Sequence, residues 1–133
     1  MSTNSTIALE YADGTVDSIY CHSDGYLSYN GKMLLEHYSD PFKVRQLMDL
    51  GDMSFLAKNI GEKHNFNDYV EDSCRFYGRD RGEQNINADR FGSFDSYRLH
   101  NNMLEYNYIL RKDGNWYVRK SGQTGFHNLK DLF

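Results

Sequence analysis

Two Asp-Gly dipeptides, Asp13-Gly14 and Asp113-Gly114, each sit between alternating runs of apolar and polar residues, and they constrain the fold more than any other feature of the sequence. A two-residue hairpin turn needs positive φ, which glycine adopts at little steric cost, so each dipeptide predicts an antiparallel hairpin. Around the first, Ile7, Leu9 and Tyr11 share a face at the strand period of two, and the return strand covers residues 16–21. Its alternation is broken by the adjacent Ile19 and Tyr20, which predicts that both of its faces are covered. Around the second, Leu104, Tyr106, Tyr108 and Leu110 share a face over residues 103–110, and residues 116–120 return.

Between the hairpins the pattern changes to the helical period. Leu34, Leu35 and Tyr38 predict a short helix over residues 32–38. Asp40-Pro41 reads as an N-cap followed by proline at the first helical position, opening a helix with Val44, Leu47 and Met48 inward and Gly51 at its end. A third short helix is expected from Asp52, with Met53, Leu56 and Ile60 inward. Residues 62–72 read as a polar loop and residues 74–77 as a single strand. Residues 78–102 either hide a short helix near residues 94–100 or form a binding loop, because so long an unstructured stretch is uncommon in a compact domain. The tail, residues 126–133, predicts one helical turn with Leu129, Leu132 and Phe133 inward. Residues 1–5 are expected to fray. The sum is a single α+β domain over residues 1–133, with an antiparallel sheet of two hairpins plus one strand and three short helices inserted after the first hairpin.

Composition narrows the function classes. The chain has 133 residues, enough for one core, and a net charge of −4 with acids and bases interspersed. No basic stripe supports indiscriminate DNA binding, and no acidic block supports wholesale mimicry of DNA charge. No apolar run approaches a membrane span, and the amino terminus lacks the pattern of a secretion signal. Cys21 and Cys74 match neither a disulfide framework nor a metal motif and are expected as cytosolic free thiols. The 11 tyrosines and 8 phenylalanines favour a half-buried sheet or an adhesive face.

Two constellations could carry chemistry. Tyr20, His22, Asp24, Tyr26 and His37 fall within one stretch. His22, Asp24 and His37 have the donor types for a divalent metal or for proton transfer, but their spacing matches no metal motif, so no metal or cofactor is assigned. The structural alternative has Asp24 pinning the turn and each histidine packing a flank. Cys21 and His22 are adjacent on a strand and point to opposite faces, which argues against a thiol–imidazole pair. The second constellation is Arg75, Tyr77, Arg79, Arg81 and Arg90. Arginine forks suit phosphate or carboxylate, and Tyr77 and Phe76 could stack a base, although Asp80, Glu83 and Asp89 offer the arginines internal partners. Arg111, Lys112, Arg119 and Lys120 read as edge-strand protection.

The run Tyr20-Cys21-His22-x-Asp24-Gly25-Tyr26, then Gly31-x-x-Leu34-Leu35-x-His37-Tyr38, resembles the signature of a group of short phage and prophage proteins. Tyr77-Gly78-Arg79-Asp80-Arg81-Gly82-Glu83 and Asn115-Trp116-Tyr117-Val118 are similar too. That group often carries tryptophan after the histidine, where this chain has Ser23. The resemblance implies an accessory protein acting in the cytoplasm of an infected host cell, and it assigns no catalytic residue. The expectation is therefore a non-enzymatic protein that binds a host protein or complex, of the anti-CRISPR or anti-restriction type. The alternatives are a small-nucleotide binder or hydrolase and a virion component.

Overall fold

The computed structural model describes residues 3–100 and 104–133. Strands β1 (Ser5–Glu10) and β2 (Val16–Cys21) form the first hairpin, in register Ile7 to Ile19, and β6 (Tyr106–Leu110) and β7 (Trp116–Lys120) form the second, in register Tyr108 to Val118. Both turns sit where the Asp-Gly pairs predict them. Gly14 and Gly114 have φ of +91° and +86°, and each aspartate accepts a backbone N–H two residues on. No atom lies within 4 Å of a β-carbon built on either glycine. Gly14→Val and Gly114→Val are therefore expected to lower stability through backbone strain alone, by about 1–2 kcal/mol each, as read by urea denaturation.

Between the hairpins run a π-helical turn (Leu27–Gly31), α1 (Lys32–His37), α2 (Pro41–Leu50), β3 (Met53–Phe55), β4 (Arg75–Phe76), α3 (Tyr77–Arg81), β5 (Asp89–Phe91) and α4 (Phe94–Leu99). A short β8 (His127–Asn128) and a 3-10 turn (Leu129–Leu132) follow β7. Among the described residues the strands form one sheet in the order β4-β3-β2-β1-β6-β7-β8, with β5 added to the first half of β2.

The fold is α+β as expected, but the sheet is mixed rather than antiparallel. The hairpins join through a parallel β1–β6 seam, in register Ile7 to Tyr108, and β2 meets β3 in parallel at Cys21 and Met53. A turn dipeptide fixes only the pair of strands it connects. Distant strands joined through intervening helices are free to pair in parallel, and both of these connections carry helices.

Two of the three expected helices form. Asp40 caps α2 by accepting the Phe42 N–H, Pro41 opens it, and Val44, Leu47 and Met48 are buried. The third is replaced by β3. Gly51 leaves α2 at φ +84°, ψ −156°, which swings the chain into extended backbone, and Met53 is captured between β2 and β4. Asp52 caps no helix. Its Oδ1 accepts the Tyr20 N–H at 2.9 Å. The expected strand over residues 74–77 is shorter, since Tyr77 begins α3, and the short helix near residues 94–100 is present as α4.

The tail turns as expected with Leu129 buried, but Leu132 and Phe133 face solvent at 46% and 56% exposure. Residues 3–5 are tied rather than frayed. Thr3 O accepts the Gly25 N–H at 2.8 Å, and Ser5 is fully buried in β1. Residues 1, 2 and 101–103, which include the start of the strand expected from 103, lie outside the described residues.

Both faces of the sheet are covered. Ile7, Leu9, Ile19, Cys21, Tyr108 and Leu110 pack with α1, α2, β3 and Phe76 into the main core. On the other face Ala8, Val16 and Ile109 pack under Tyr97 of α4. The small Ala8 leaves room on this face for the Tyr97 ring.

Candidate functional site

The central stretch is a structural knot. Asp24 adopts φ +55°, and its carbonyl accepts the Asn30 N–H at 3.2 Å. A β-carbon on Gly25 would meet Thr3 O at 2.8 Å and Ser5 Cβ at 2.9 Å, so only glycine lets the turn lie on the amino-terminal strand. Tyr108 donates its hydroxyl to Gly25 O at 2.6 Å. Asn30, fully buried in the π-helical turn, points its amide N–H groups at Ser5 Oγ, Cys21 Sγ and Ser23 O. Tyr29 donates to Leu56 O at 2.9 Å, and the Tyr38 hydroxyl reaches Ala57 O and Cys74 Sγ. Both cysteines are buried and unbridged, and burial raises the Cys21 thiol to about 12, far from a reactive thiolate.

His22, Asp24 and His37 do not converge. Asp24 takes a long 3.3 Å hydrogen bond from the Tyr26 hydroxyl. His37 lies at the end of α1, exposed, 3.9 Å from Glu36. His22 shares a 2.7 Å hydrogen bond with the Tyr20 hydroxyl through Nδ1. Among the described residues no group of three His, Cys, Asp or Glu could hold a metal ion.

The arginines divide by role. Arg79 is enclosed: it binds Asp80 Oδ1 through Nε at 2.9 Å and the carbonyls of Ile60, Gly61 and Cys74 at 2.9–3.0 Å. It ties Ile60 and Gly61 to the residue that enters β4. Arg90 forks onto Asp17 at 2.8 and 3.0 Å and lies over the Tyr11 ring. Arg75 and Arg81 remain at the surface. Both guanidinium groups stand over the Phe66 ring, at 5.5 and 4.5 Å from its centroid, and Arg81 also covers Tyr77 at 4.8 Å while pairing with Glu83. Phe66 and Tyr77 stack with centroids 5.5 Å apart and planes 27° apart.

Strand order brings this group beside the first constellation. His22 N–H donates to Met53 O and Ser23 N–H to Ser54 O, so the end of β2 runs along β3, which pairs with β4 and leads into α3. Cys21, Met53 and Phe76 point into the main core, so Tyr20, His22 and Tyr77 stand on the opposite face. Burial, and next the neighbouring Tyr77 phenol, raise the Tyr20 hydroxyl above its ordinary value. The result is one strip of partly exposed side chains: His22, Tyr20, Tyr77, Phe66, Arg81 and Arg75. Phe66 escapes sequence reasoning because it sits in a polar loop with no hydrophobic period around it. Asp24, Tyr26, His37, Arg79 and Arg90 lie outside the stacked group.

The strip has the chemistry of a contact surface. It offers flat aromatic faces and arginine forks, with the Tyr20 hydroxyl held on His22 Nδ1 at one end. Comparison with protein-family models, with curated proteins and with solved structures returned no match. No helix among the described residues is long and apolar enough to cross a membrane.

Proposed function

We propose that the chain is a non-enzymatic binding module that engages a host protein or protein complex in the host cell cytoplasm, as a phage accessory protein of the kind its central signature resembles. A component of antiviral defence, of the CRISPR or restriction class, is the partner type proposed. The observation that carries the reading is the Tyr20–His22–Tyr77–Phe66–Arg81–Arg75 strip. Tyrosine and arginine dominate the energetic centres of protein interfaces, because each combines a large contact area with a directional polar group. The two outward arginines suit a partner patch that is acidic at its rim.

The test is capture from host lysate on the immobilised full chain, read by mass spectrometry. A specific host partner should be enriched by the wild type, and Tyr77→Ala with Arg81→Glu should weaken its capture by about tenfold or more. Phe42→Ser, which changes a side chain 77% exposed on α2, should leave capture intact. No enriched partner, or one retained by the double variant, defeats the reading. The second reading, a small-nucleotide binder, has the Phe66–Tyr77 stack in its favour but must do without Arg79. A thermal-shift screen of nucleotides and cyclic nucleotides separates the two, since a bound ligand raises the melting temperature by mass action.

A further inference from the structure

On the sheet face opposite the main core, between β2, β5 and α4, lies a cleft of about 190 Å³. Its walls include two carboxylates, Asp52 and Asp89, and the rings of Phe91, Tyr97 and His100. We propose that this cleft, whose wall shares Tyr20 with the aromatic strip, binds a small organic cation, an ammonium or guanidinium group.

Four observations carry the proposal. First, neither carboxylate has an ion-pair partner among the described residues. Asp52 Oδ1 accepts the Tyr20 N–H, and no described residue donates to Oδ2. Burial, with the nearby charges of Asp89 and Glu83, raises the Asp52 carboxyl despite the hydrogen bond from Tyr20. A cation in the cleft would relieve both the burial and the like-charge contact. Second, no lysine or arginine among the described residues lines the cleft to supply that charge from within.

Third, the aromatic walls are arranged as a corner. Phe91 and Tyr97 meet edge to face at 5.5 Å and 74°, and His100 stands 5.4 Å from Phe91. Ring faces attract a desolvated ammonium or guanidinium group. Fourth, the Tyr97 hydroxyl is buried and no described residue makes a well-formed hydrogen bond to it, although Thr6 stands close enough to lower its titration against the effect of burial. Its neighbour Thr6, also in the cleft wall, donates its own hydroxyl to Asn107 Oδ1 at 2.9 Å. Burial raises the Tyr97 hydroxyl to about 12, so it stays neutral and offers a lone pair. An orphaned buried hydroxyl in an intact core calls for a partner, and an N–H of a cation supplies one. Metal ions are a poor match, because the described residues contain no group of three suitable ligands.

The test is calorimetric titration and thermal shift of the full chain with agmatine, putrescine and a blocked Gly-Arg-Gly peptide at low salt, with a neutral alcohol of matched size as control. Saturable millimolar or tighter binding of at least one cation, with none of the alcohol, is expected. Preference for the peptide points to an arginine side chain of a protein partner, and preference for the diamine or agmatine to a free metabolite. Asp52→Asn keeps the acceptor for Tyr20 N–H and should weaken binding by about tenfold. Asp89→Asn, at an exposed position, should weaken it less and guards against misfolding of the first variant. Tyr97→Phe should raise the melting temperature of the free protein, by removing the orphan, while weakening the cation. Absence of saturable binding, or binding unchanged in both carboxylate variants, overturns the proposal.

Discussion

Gly51→Ala is expected to destabilise the protein by about 3–5 kcal/mol, a large part of the stability of a domain of this size. Two effects add. Gly51 holds φ +84°, where an L side chain is strained by about 1–2 kcal/mol. A β-carbon there would also lie 2.2 Å from the Ile86 carbonyl oxygen and 2.8 Å from Ile86 Cδ1. That carbonyl accepts the Asp52 N–H at 2.8 Å, so it cannot move away without losing the bond that docks the 86 segment on the end of α2. Gly14→Ala is the matched control, with the same sign of φ and open space around it. Urea denaturation should show Gly51→Ala losing at least about twice as much stability as the control. Equal losses would mean that the Ile86 loop gives way freely.

Asp80→Ala should be of similar size, about 3–5 kcal/mol, because it strands a buried charge. Asp80 accepts the Phe76 N–H at 2.8 Å, the His64 N–H at 3.1 Å and Arg79 Nε at 2.9 Å, and its carboxylate is fully buried. Its loss leaves the Arg79 guanidinium, 11% exposed, without a counter-charge. Arg79→Met combined with Asp80→Ala should recover part of the loss, which a double-mutant cycle would measure.

The pH dependence has a definite sign. Burial alone would raise the Asp80 carboxyl, but the Arg79 fork and the two backbone N–H groups outweigh it and hold it below its ordinary value. The folded state therefore favours the ionised form. This stabilisation is complete above the unfolded value of about 4 and is lost as pH falls through the lower folded value. Glu10 and Asp17, held low by Arg111 and Arg90 against the effect of burial, act in the same direction. The wild type should lose stability across that acid window with a slope that Asp80→Asn reduces.

What could be read from the sequence follows the range of each signal. Asp13-Gly14, Asp113-Gly114 and Asp40-Pro41 act within a few residues, and each yields the element it predicts. The parallel β1–β6 seam leaves no local mark, because its backbone hydrogen bonds join residues about a hundred positions apart, such as Ile7 and Tyr108. Met53, Leu56 and Ile60 carry a helical period, yet the Gly51 bend and the free edge of β2 draw Met53 into the sheet. Asn30 is polar and fully buried, so no hydrophobic pattern could place it in the core. At the surface, Tyr77 and Arg81 stand out in the sequence as an aromatic ring and an anion-binding fork. Their stacking on Phe66 and their position beside Tyr20 depend on strand order, which single-sequence patterns do not encode.

The seam between the hairpins also governs when the molecule can close. Ribosomal synthesis delivers β1 and β2 early, but β1 keeps an unsatisfied edge until β6 emerges, after all of the helical insert. Through most of translation the nascent chain therefore displays a bare row of amide and carbonyl groups that a neighbouring polypeptide could pair with. The β1–β6 seam closes by contacts of long sequence separation, a topology that slows folding in general, so conditions that keep unfinished copies apart should favour its maturation.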